Sequence, residues 1–255
     1  MSVNIRFDGK TVLITGATGD LGRVMVRTFA QSGADVIIHY HSNLKMAQRL
    51  QDEVIGLGQK ALIVQADVTK QESVEQMKQT IERAFTLPQV VVNNAVIQYQ
   101  WVDILEQDQA DFISQFESCV MHNVYMAKSF IPNMKKNHYG RFIGINTERS
   151  MLCTPGSGAY TSAKRGMDGI YRVLAKEVGG FGITVNQIAP GWTISDRDRT
   201  SGTEHPEEVE QQIPMKRRGD DQEVANAVIF LASEQASYIT GTYLPVCGGN
   251  CMPTI

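Results

Sequence analysis

The sequence predicts one α/β domain built on a doubly wound parallel sheet, with helices on both faces. Short apolar runs rich in valine and isoleucine alternate with longer stretches of helical periodicity. A run without polar alternation is typical of a strand buried on both faces, and strands separated by helices favour parallel pairing. The first run ends in a glycine-containing turn that leads into a helical pattern. We therefore expect about seven strands, with functional residues at their carboxyl ends.

The predicted elements follow one another without an internal repeat or a low-complexity linker, so we interpret residues 1–255 as one domain. Strands are predicted at 11–15, 36–38, 61–64, 90–92, 141–145 and 183–188, and a seventh at 243–246. Helices are predicted at 21–30, 44–57, 73–85, 109–136 and 159–178. The least regular stretch, 191–212, is too long for a simple connection, so we interpret it as a substrate lid or a disordered insert.

Charge and cysteine usage exclude several classes of partner. The net charge of −3 gives no electrostatic reason to expect nucleic acid or an anionic membrane. The four cysteines form no C-x-x-C pair and no zinc-site spacing, so we expect free thiols in a reducing compartment and no bound metal. The chain opens without a signal-peptide pattern, and no apolar run approaches the roughly 18 residues that span a bilayer. The expected location is the cytoplasm.

The turn after the first strand reads TGATGDLG, residues 15–22. Glycines at such a turn let the backbone approach a pyrophosphate, which then meets the positive end of the helix dipole. The segment resembles the TGxxxGxG loop of the short-chain dehydrogenase/reductase family, with Asp20 in place of the middle glycine. The resemblance implies a Rossmann-like fold that binds a nicotinamide dinucleotide. The implied loop contacts are Gly16, Thr18, Gly19, Asp20 and Leu21.

Tyr160 and Lys164 lie one helical turn apart near the start of a predicted helix. A free phenol keeps its proton at neutral pH, and a nearby ammonium favours the phenolate, so a tyrosine in this pairing can act as acid and base. The family's catalytic serine corresponds to Thr147, with Ser150 as a less favoured stand-in. Asn123 corresponds to an asparagine that holds a water in a proton relay to the lysine; a structural asparagine that satisfies backbone groups is the alternative.

Two further family motifs follow the third and fourth strands. NNAV at 93–96 resembles the family's NNAG, with Val96 in place of glycine, and the resemblance implies cofactor contacts from Asn94 and Ala95. Asp67 and Val68 match the position that contacts adenine. A helix cap is the alternative for Asp67.

Later motifs continue the resemblance to the end of the chain. Pro190 and Gly191 match a turn beside the nicotinamide, and Thr193 and Ser195 follow where carboxamide and phosphate contacts would fall. Segments 223–233 and 239–241 also look family-like, whereas Cys247 departs from the usual DGG. Six motifs in family order, each at the expected strand end, together support membership.

The end of the second strand bears on cofactor choice. In this family an acidic residue there binds the ribose 2′-hydroxyl of NAD and repels a 2′-phosphate. Here the position is Tyr40, followed by His41 and Ser42, so neither a carboxylate nor an arginine is present. We expect NADP(H) to be favoured, with NAD(H) as the alternative.

The resemblance implies hydride transfer between the nicotinamide and a secondary alcohol or ketone. Tyr99, Arg149 and Trp192 are expected to face the substrate, and they combine aromatic rings with a charge that could hold an anion. We interpret this lining as a site for a small polar molecule: a sugar, a polyol, or a hydroxy or keto acid. A solvated surface position is the alternative for Arg149, and packing under the lid is the alternative for Trp192.

Other functions stay open at this point. One is a 3-oxoacyl-thioester reductase. Another is a weakly catalytic NADP-sensing or scaffold protein on the same fold, suggested by the departures at 20, 96, 147 and 247, and a fold without nicotinamide binding is less favoured still. The resemblance also implies a homo-tetramer or homo-dimer that pairs through helices 109–136 and 159–178.

Overall fold

The computed structural model describes residues 5–253, and its centre is a sheet of seven strands. Every neighbouring pair is parallel, in the spatial order β3-β2-β1-β4-β5-β6-β7. This confirms the predicted doubly wound sheet. Because the strand order reverses at β1, a crevice opens between the carboxyl ends of β1 and β4. The strands are β1 (Thr11–Ile14), β2 (Asp35–Tyr40), β3 (Ala61–Gln65), β4 (Val90–Asn93), β5 (Gly140–Ile145), β6 (Ile183–Pro190) and β7 (Tyr243–Val246).

Helices cover both faces of this sheet. Those described are α1 (Asp20–Gln31), α2 (Leu44–Gly56), α3 (Gln71–Ala84), α4 (Gln109–Phe116), α5 (His122–Lys136), α6 (Arg149–Leu152), α7 (Gly158–Val178), α8 (Asp196–Ser201), α9 (Glu207–Glu210) and α10 (Asp221–Ala232). Helices α1, α2 and α10 bury side chains such as Phe29 and Leu50 against one face. Helices α3, α5 and α7 bury Phe130 and Tyr171 against the other. Each such burial contributes roughly 1.5–3 kcal/mol.

Capping boxes fix the starts of two helices near the crevice. At α8 the Ser195 hydroxyl accepts from the Asp198 backbone N–H at 3.2 Å, and Asp198 accepts from the Ser195 backbone at 2.8 Å. Asp220 and Glu223 form the same arrangement at α10. Both pairs satisfy N–H groups that have no partner within the helix.

The long helix predicted at 109–136 is wrong in one respect. A π-helical segment, Glu117–Met121, separates α4 from α5. The side-chain amide of Asn123 donates to the Cys119 carbonyl at 2.6 Å, which is the acceptor that a regular helix reserves for the Asn123 backbone. Competition of this kind disturbs the backbone ladder, and it is invisible to an apolar periodicity.

The interpretation of 191–212 as a disordered insert is wrong, because α8 and α9 lie within it, whereas the interpretation as a substrate lid stays a prediction. Arg218, which follows the segment, organises it. Its guanidinium donates to the Thr193 carbonyl and to Asp198, both at 2.8 Å, and to the carbonyls of Thr203 and Glu204 at 3.2 Å. In the described part of the chain, no helix combines the length and the apolar character needed to cross a membrane.

Candidate functional site

Three cavities meet at the carboxyl ends of the strands. The outer cleft, about 570 Å³, is lined by the glycine loop, the end of β2 and residues 66–69. The inner cleft, about 290 Å³, contains Thr147, Tyr160 and Lys164. The side cavity, about 170 Å³, is lined by Ile97, Gln98, Tyr99, Trp101, Thr147, Arg149 and Tyr160. Every residue predicted to contact the cofactor, except Tyr40, lines the outer or inner cleft.

The glycine loop needs its first glycine for two reasons. Gly16 has φ +60°, a left-handed conformation that side chains disfavour. A Cβ there would also lie 2.9 Å from the Cα of Ala95, so the loop could not pack against the end of β4. The loop therefore lies tightly between β1 and β4, with the N-terminus of α1 directed at the cleft.

His39, which sequence reasoning missed, supports the same loop. Its Nδ1 accepts from the Gly16 N–H at 3.0 Å, and its Nε2 bonds the Ala66 carbonyl at 3.1 Å. Complete burial lowers its pKa to about 4, so the ring is neutral at pH 7. Asn94 adds a second support, because its side-chain amide donates to the carbonyls of Thr15 at 3.1 Å and Gly16 at 3.0 Å.

Tyr40 was predicted to contact the cofactor, and this prediction is wrong because its side chain does not line the cleft. It is buried in the apolar core on the α1 face, whereas His39, His41 and Ser42 line the outer cleft. Neighbouring side chains on a strand point to opposite faces, so residues 39 and 41 share one face and residue 40 has the other. This alternation was the signal in the sequence that would have selected His39.

Asp67 and Val68 line the outer cleft as expected. The alternative reading of Asp67 as a helix cap is wrong, because the N-cap position of α3 is Lys70, and no side chain there makes a capping hydrogen bond. Instead, Asp67 accepts from the Thr69 N–H at 3.0 Å and hydroxyl at 2.6 Å. These bonds hold the pKa of its carboxyl below its usual value against the opposing effect of burial, which is the largest single influence.

The catalytic candidates lie between the inner cleft and the side cavity. Thr147 and Tyr160 line both cavities, and Lys164 lines the inner cleft. The Lys164 Nζ is 5.6 Å from the centroid of the Tyr160 ring and donates to the Ile145 carbonyl at 2.6 Å. The carbonyl at the end of β5 thus fixes the ammonium beside the phenol.

Ser150 does not join this group. Its hydroxyl is fully buried, donates to the Thr147 carbonyl at 2.9 Å, and bonds the Tyr243 hydroxyl at 3.0 Å. Of the two hydroxyls considered from the sequence, only that of Thr147 borders the clefts. The stand-in role is therefore not supported.

Asn123 lies deeper than the catalytic candidates and lines none of the three cavities. Its Oδ1 accepts from the Tyr171 hydroxyl at 2.6 Å, and Tyr171 in turn accepts from the Asn93 amide at 2.9 Å. These buried bonds join α5, α7 and β4. They fit the structural alternative, and the proton relay stays a prediction.

The side cavity gathers aromatic rings around Tyr160. The Tyr99 hydroxyl accepts from the Tyr160 backbone N–H at 3.0 Å, and the Trp101 and Tyr160 ring centroids are 6.1 Å apart. The Arg149 guanidinium lies 4.5 Å over the Trp101 ring. Arg149 is half-buried, and its role toward the substrate stays a prediction beside the solvated alternative. Trp192 lines none of these cavities; it is 48% exposed and stacks on Arg218 at 5.7 Å.

The end of β6 forms the far wall of the inner cleft. It supplies Pro190, Gly191, Thr193 and Ser195, the residues that the motif predicted. A Cβ on Gly191 would lie 2.8 Å from the Cα of Cys247, so this turn packs closely against the segment after β7.

Asp20, the departure in the glycine loop, has a charge partner. Arg23 pairs with Asp20 on one side and with Asp196 of α8, at 2.7 Å, on the other. The negative charge near the expected pyrophosphate position is thereby offset, and α1 is joined to the segment over the inner cleft.

The clefts fit a nicotinamide dinucleotide. At Gly19 an added Cβ would meet only the Gly16 carbonyl, at 3.4 Å, so the backbone there is open to close approach by a ligand. The first N–H groups of α1 have no partner within the helix and suit a pyrophosphate. The outer and inner clefts share Asp20, Leu21, Asn94 and Val96, so the two halves of a dinucleotide could lie in adjoining space.

Comparisons with known proteins agree with this geometry. A family model described as Enoyl-(Acyl carrier protein) reductase matches residues 16–250. The chain is 34% identical to the 3-oxoacyl-acyl-carrier-protein reductase of Escherichia coli over 258 residues, 97% of this chain and 100% of that protein.

Two solved structures match over nearly the whole length. One is a 7α-hydroxysteroid dehydrogenase in complex with NADH and 7-oxoglycochenodeoxycholic acid, with 29% identity, a TM-score of 0.89 and 99% coverage of both chains. The other is a double mutant of a Serratia marcescens short-chain dehydrogenase/reductase, with 25% identity, a TM-score of 0.87, and coverage of 98% of this chain and 100% of that one. The chain therefore belongs to the short-chain dehydrogenase/reductase family of NAD(P)-dependent oxidoreductases.

Proposed function

We propose that this enzyme transfers a hydride between NADP(H) and a secondary alcohol or ketone of a small polar substrate. The observation that carries the proposal is that Thr147 and Tyr160 line both the inner cleft and the side cavity. A carbonyl carbon in the side cavity would lie against these two hydroxyls and next to the cofactor cleft. Bound in the clefts, the dinucleotide supplies the hydride or accepts it.

The side chains of this chain handle the proton. Tyr160 gives a proton to the carbonyl oxygen in reduction and takes it from the alcohol in oxidation. Lys164 places a positive charge 5.6 Å from the centroid of the Tyr160 ring, where its ammonium is buried and donates to the Ile145 carbonyl. Thr147 donates to the same substrate oxygen. The predicted proton relay through Asn123 would replace the proton that Tyr160 gives up in reduction.

The preference for NADP(H) rests on the end of β2. His41 and Ser42 line the outer cleft there, and Tyr40 turns into the core, so no carboxylate at this position opposes a 2′-phosphate. Comparison of kcat/KM with NADPH and NADH tests this preference. A higher value with NADH would overturn it.

A 3-oxoacyl thioester is the second candidate substrate, because the E. coli relative carries that activity in its name. A panel of polyols, hydroxy acids and β-ketoacyl thioesters separates the two candidates by absorbance at 340 nm. Turnover confined to the thioesters would replace the small polar substrate.

Catalysis itself is separated from a sensing or scaffold role by Tyr160→Phe. If the protein is an enzyme, Tyr160→Phe should bind the dinucleotide as the wild type does and lose turnover. Equal, marginal turnover in both proteins would favour the sensor.

Two features of the assembly belong to the same proposal. Residues 191–212 act as a lid, and the Arg23–Asp196 ion pair supports this role because it joins α8 to the glycine-loop helix.

The chain forms a homo-tetramer or homo-dimer through α4, α5 and α7, where Ile113, Phe116 and Val173 expose apolar surface. A monomer in light scattering would contradict the second of these.

A further inference from the structure

Arg149 carries a charge that forms no ion pair in the described part of the chain; the neighbouring Glu148 carboxylate acts on it only through space and accepts its hydrogen bond from Asn250 instead. Its guanidinium lines the side cavity and is half-buried. Within residues 5–253 no carboxylate forms an ion pair with it, and its guanidinium donates no hydrogen bond to a protein group. A partly desolvated guanidinium that donates no hydrogen bond to the protein can bind an anionic ligand.

The position of this charge relates it to the reacting groups. Arg149 lies over one face of Trp101 at 4.5 Å, and Trp101 lies 6.1 Å from Tyr160 between ring centroids. The guanidinium carbon and the centroid of the Tyr160 ring can therefore be no farther apart than about these two separations combined. The indole holds the guanidinium by cation–π attraction.

The geometry points to Arg149 as the residue that binds the carboxylate of a short hydroxy acid or keto acid. This inference rests on the proposed function, since it assigns the substrate class of the same cavity. A guanidinium pairs with a planar carboxylate through two parallel hydrogen bonds, and exclusion of water strengthens such a pair. The carboxylate at Arg149 would leave the carbinol or carbonyl carbon of the same molecule at Thr147 and Tyr160.

The cavity favours this class over the other candidates. At about 170 Å³ it is smaller than the cavities that hold drug-sized ligands, so the fragment bound in it is short. A 3-oxoacyl thioester is neutral around its ketone, and its phosphate lies at the far end of a long pantetheine arm. It would give this arginine no anion. A neutral polyol would likewise leave the charge unpaired.

Tryptophan fluorescence measures this binding without turnover. The chain has two tryptophans, so Trp192→Phe leaves Trp101, beneath the guanidinium, as the reporter. This protein, loaded with dinucleotide, is titrated with 3-hydroxybutyrate and with the matching neutral amide, 3-hydroxybutyramide, and the comparison is repeated with 2- and 4-hydroxy acids of three to five carbons. We expect at least one acid to bind about 10-fold or more tightly than its amide, as a charge-assisted bond implies.

Variants then assign the effect to Arg149. In Arg149→Gln the acid loses its advantage over the amide, whereas Arg149→Lys retains part of it, because lysine keeps the charge without the paired donors. Arg83→Gln, on the exposed surface of α3, is the matched control and leaves the ratio unchanged. Kinetically, Arg149→Gln raises KM for the acid more than it lowers kcat.

The outcomes separate this inference from the proposed function. Equal affinity for every acid and its amide in the wild-type background overturns the role of Arg149, even if Arg149→Gln fails to fold. Turnover of neutral alcohols that Tyr160→Phe abolishes would then leave the oxidoreductase proposal intact. Selective acid binding without turnover of any acid or alcohol would keep the anion site and overturn the small-substrate reaction.

Discussion

Replacement of His39 by glutamine tests how a buried histidine supports the cofactor loop. His39 is uncharged at neutral pH because its complete burial lowers its pKa, and its Nδ1 then accepts from the Gly16 N–H. Glutamine offers an acceptor and a donor but does not titrate. We therefore expect His39→Gln to fold and to differ from the wild type mainly in the dependence of its stability on pH.

The magnitude follows from the pKa. Burial lowers the pKa of His39 from 6.5 to about 4. Between these two pH values the unfolded chain binds a proton at this residue and the folded protein does not. The free energy of unfolding that neutral His39 contributes is complete above about pH 6.5 and is lost progressively as the pH falls to about 4. Below that pH it does not change further. At about 1.36 kcal/mol per pKa unit, the loss is about 3 kcal/mol. Protonation of the folded protein also removes the acceptor for the Gly16 N–H, so dinucleotide affinity should fall only as the pH approaches about 4.

Urea unfolding of both proteins at half-unit steps from pH 7.5 to 4.0 measures this contribution as a difference. The common effect of the carboxylates cancels in that difference. His138→Gln, at an exposed position that forms no ion pair in the described part of the chain, is the control and should show the same pH dependence as the wild type. Parallel curves for the wild type and His39→Gln would refute the reasoning, because they would mean that His39 is protonated in the folded state.

Three further predictions concern the loop and the α5–α7 contact. Gly16→Ala should cost about 1–3 kcal/mol in unfolding free energy and abolish dinucleotide binding, whereas the control Gly56→Ala, in open space at the end of α2, should gain up to about 1 kcal/mol; equal effects in denaturant titrations would contradict the close approach. Asp20→Gly removes one of the two carboxylate partners of Arg23 and a negative charge at the start of α1, so it should tighten dinucleotide binding about 2- to 5-fold by fluorescence titration; weaker binding would mean that Asp20 helps the loop. Tyr171→Phe leaves two buried asparagine groups unpaired and should cost about 1–3 kcal/mol by calorimetry; an unchanged Tm would contradict this.

The sheet was predictable because a buried parallel strand has a composition of its own. Uninterrupted apolar runs such as Val90–Val92 specify burial on both faces, and the glycine turn specifies where the crevice opens. The placement of Thr147, Tyr160 and Lys164 around one cleft followed from their positions at strand and helix ends.

Other features depend on contacts between residues distant in sequence. The π-helical segment arises from the Asn123 amide on the Cys119 carbonyl, which no periodicity reveals. Order at 191–212 depends on Arg218, which lies beyond that segment. Tyr40 was predicted to line the cleft, but His39 lines it instead, because alternate residues of β2 face opposite sides of the sheet. A shift of one residue in phase reverses which side chains face the cleft.

The central claim is that Tyr160 transfers the proton of the reaction. The direct measurement is turnover at 340 nm by the wild type and Tyr160→Phe, with an alcohol or ketone that the wild type accepts, beside fluorescence titration of both proteins with NADPH. The account predicts loss of turnover by at least about 100-fold, with dinucleotide affinity within a few-fold of the wild type. Undiminished turnover by Tyr160→Phe would contradict it.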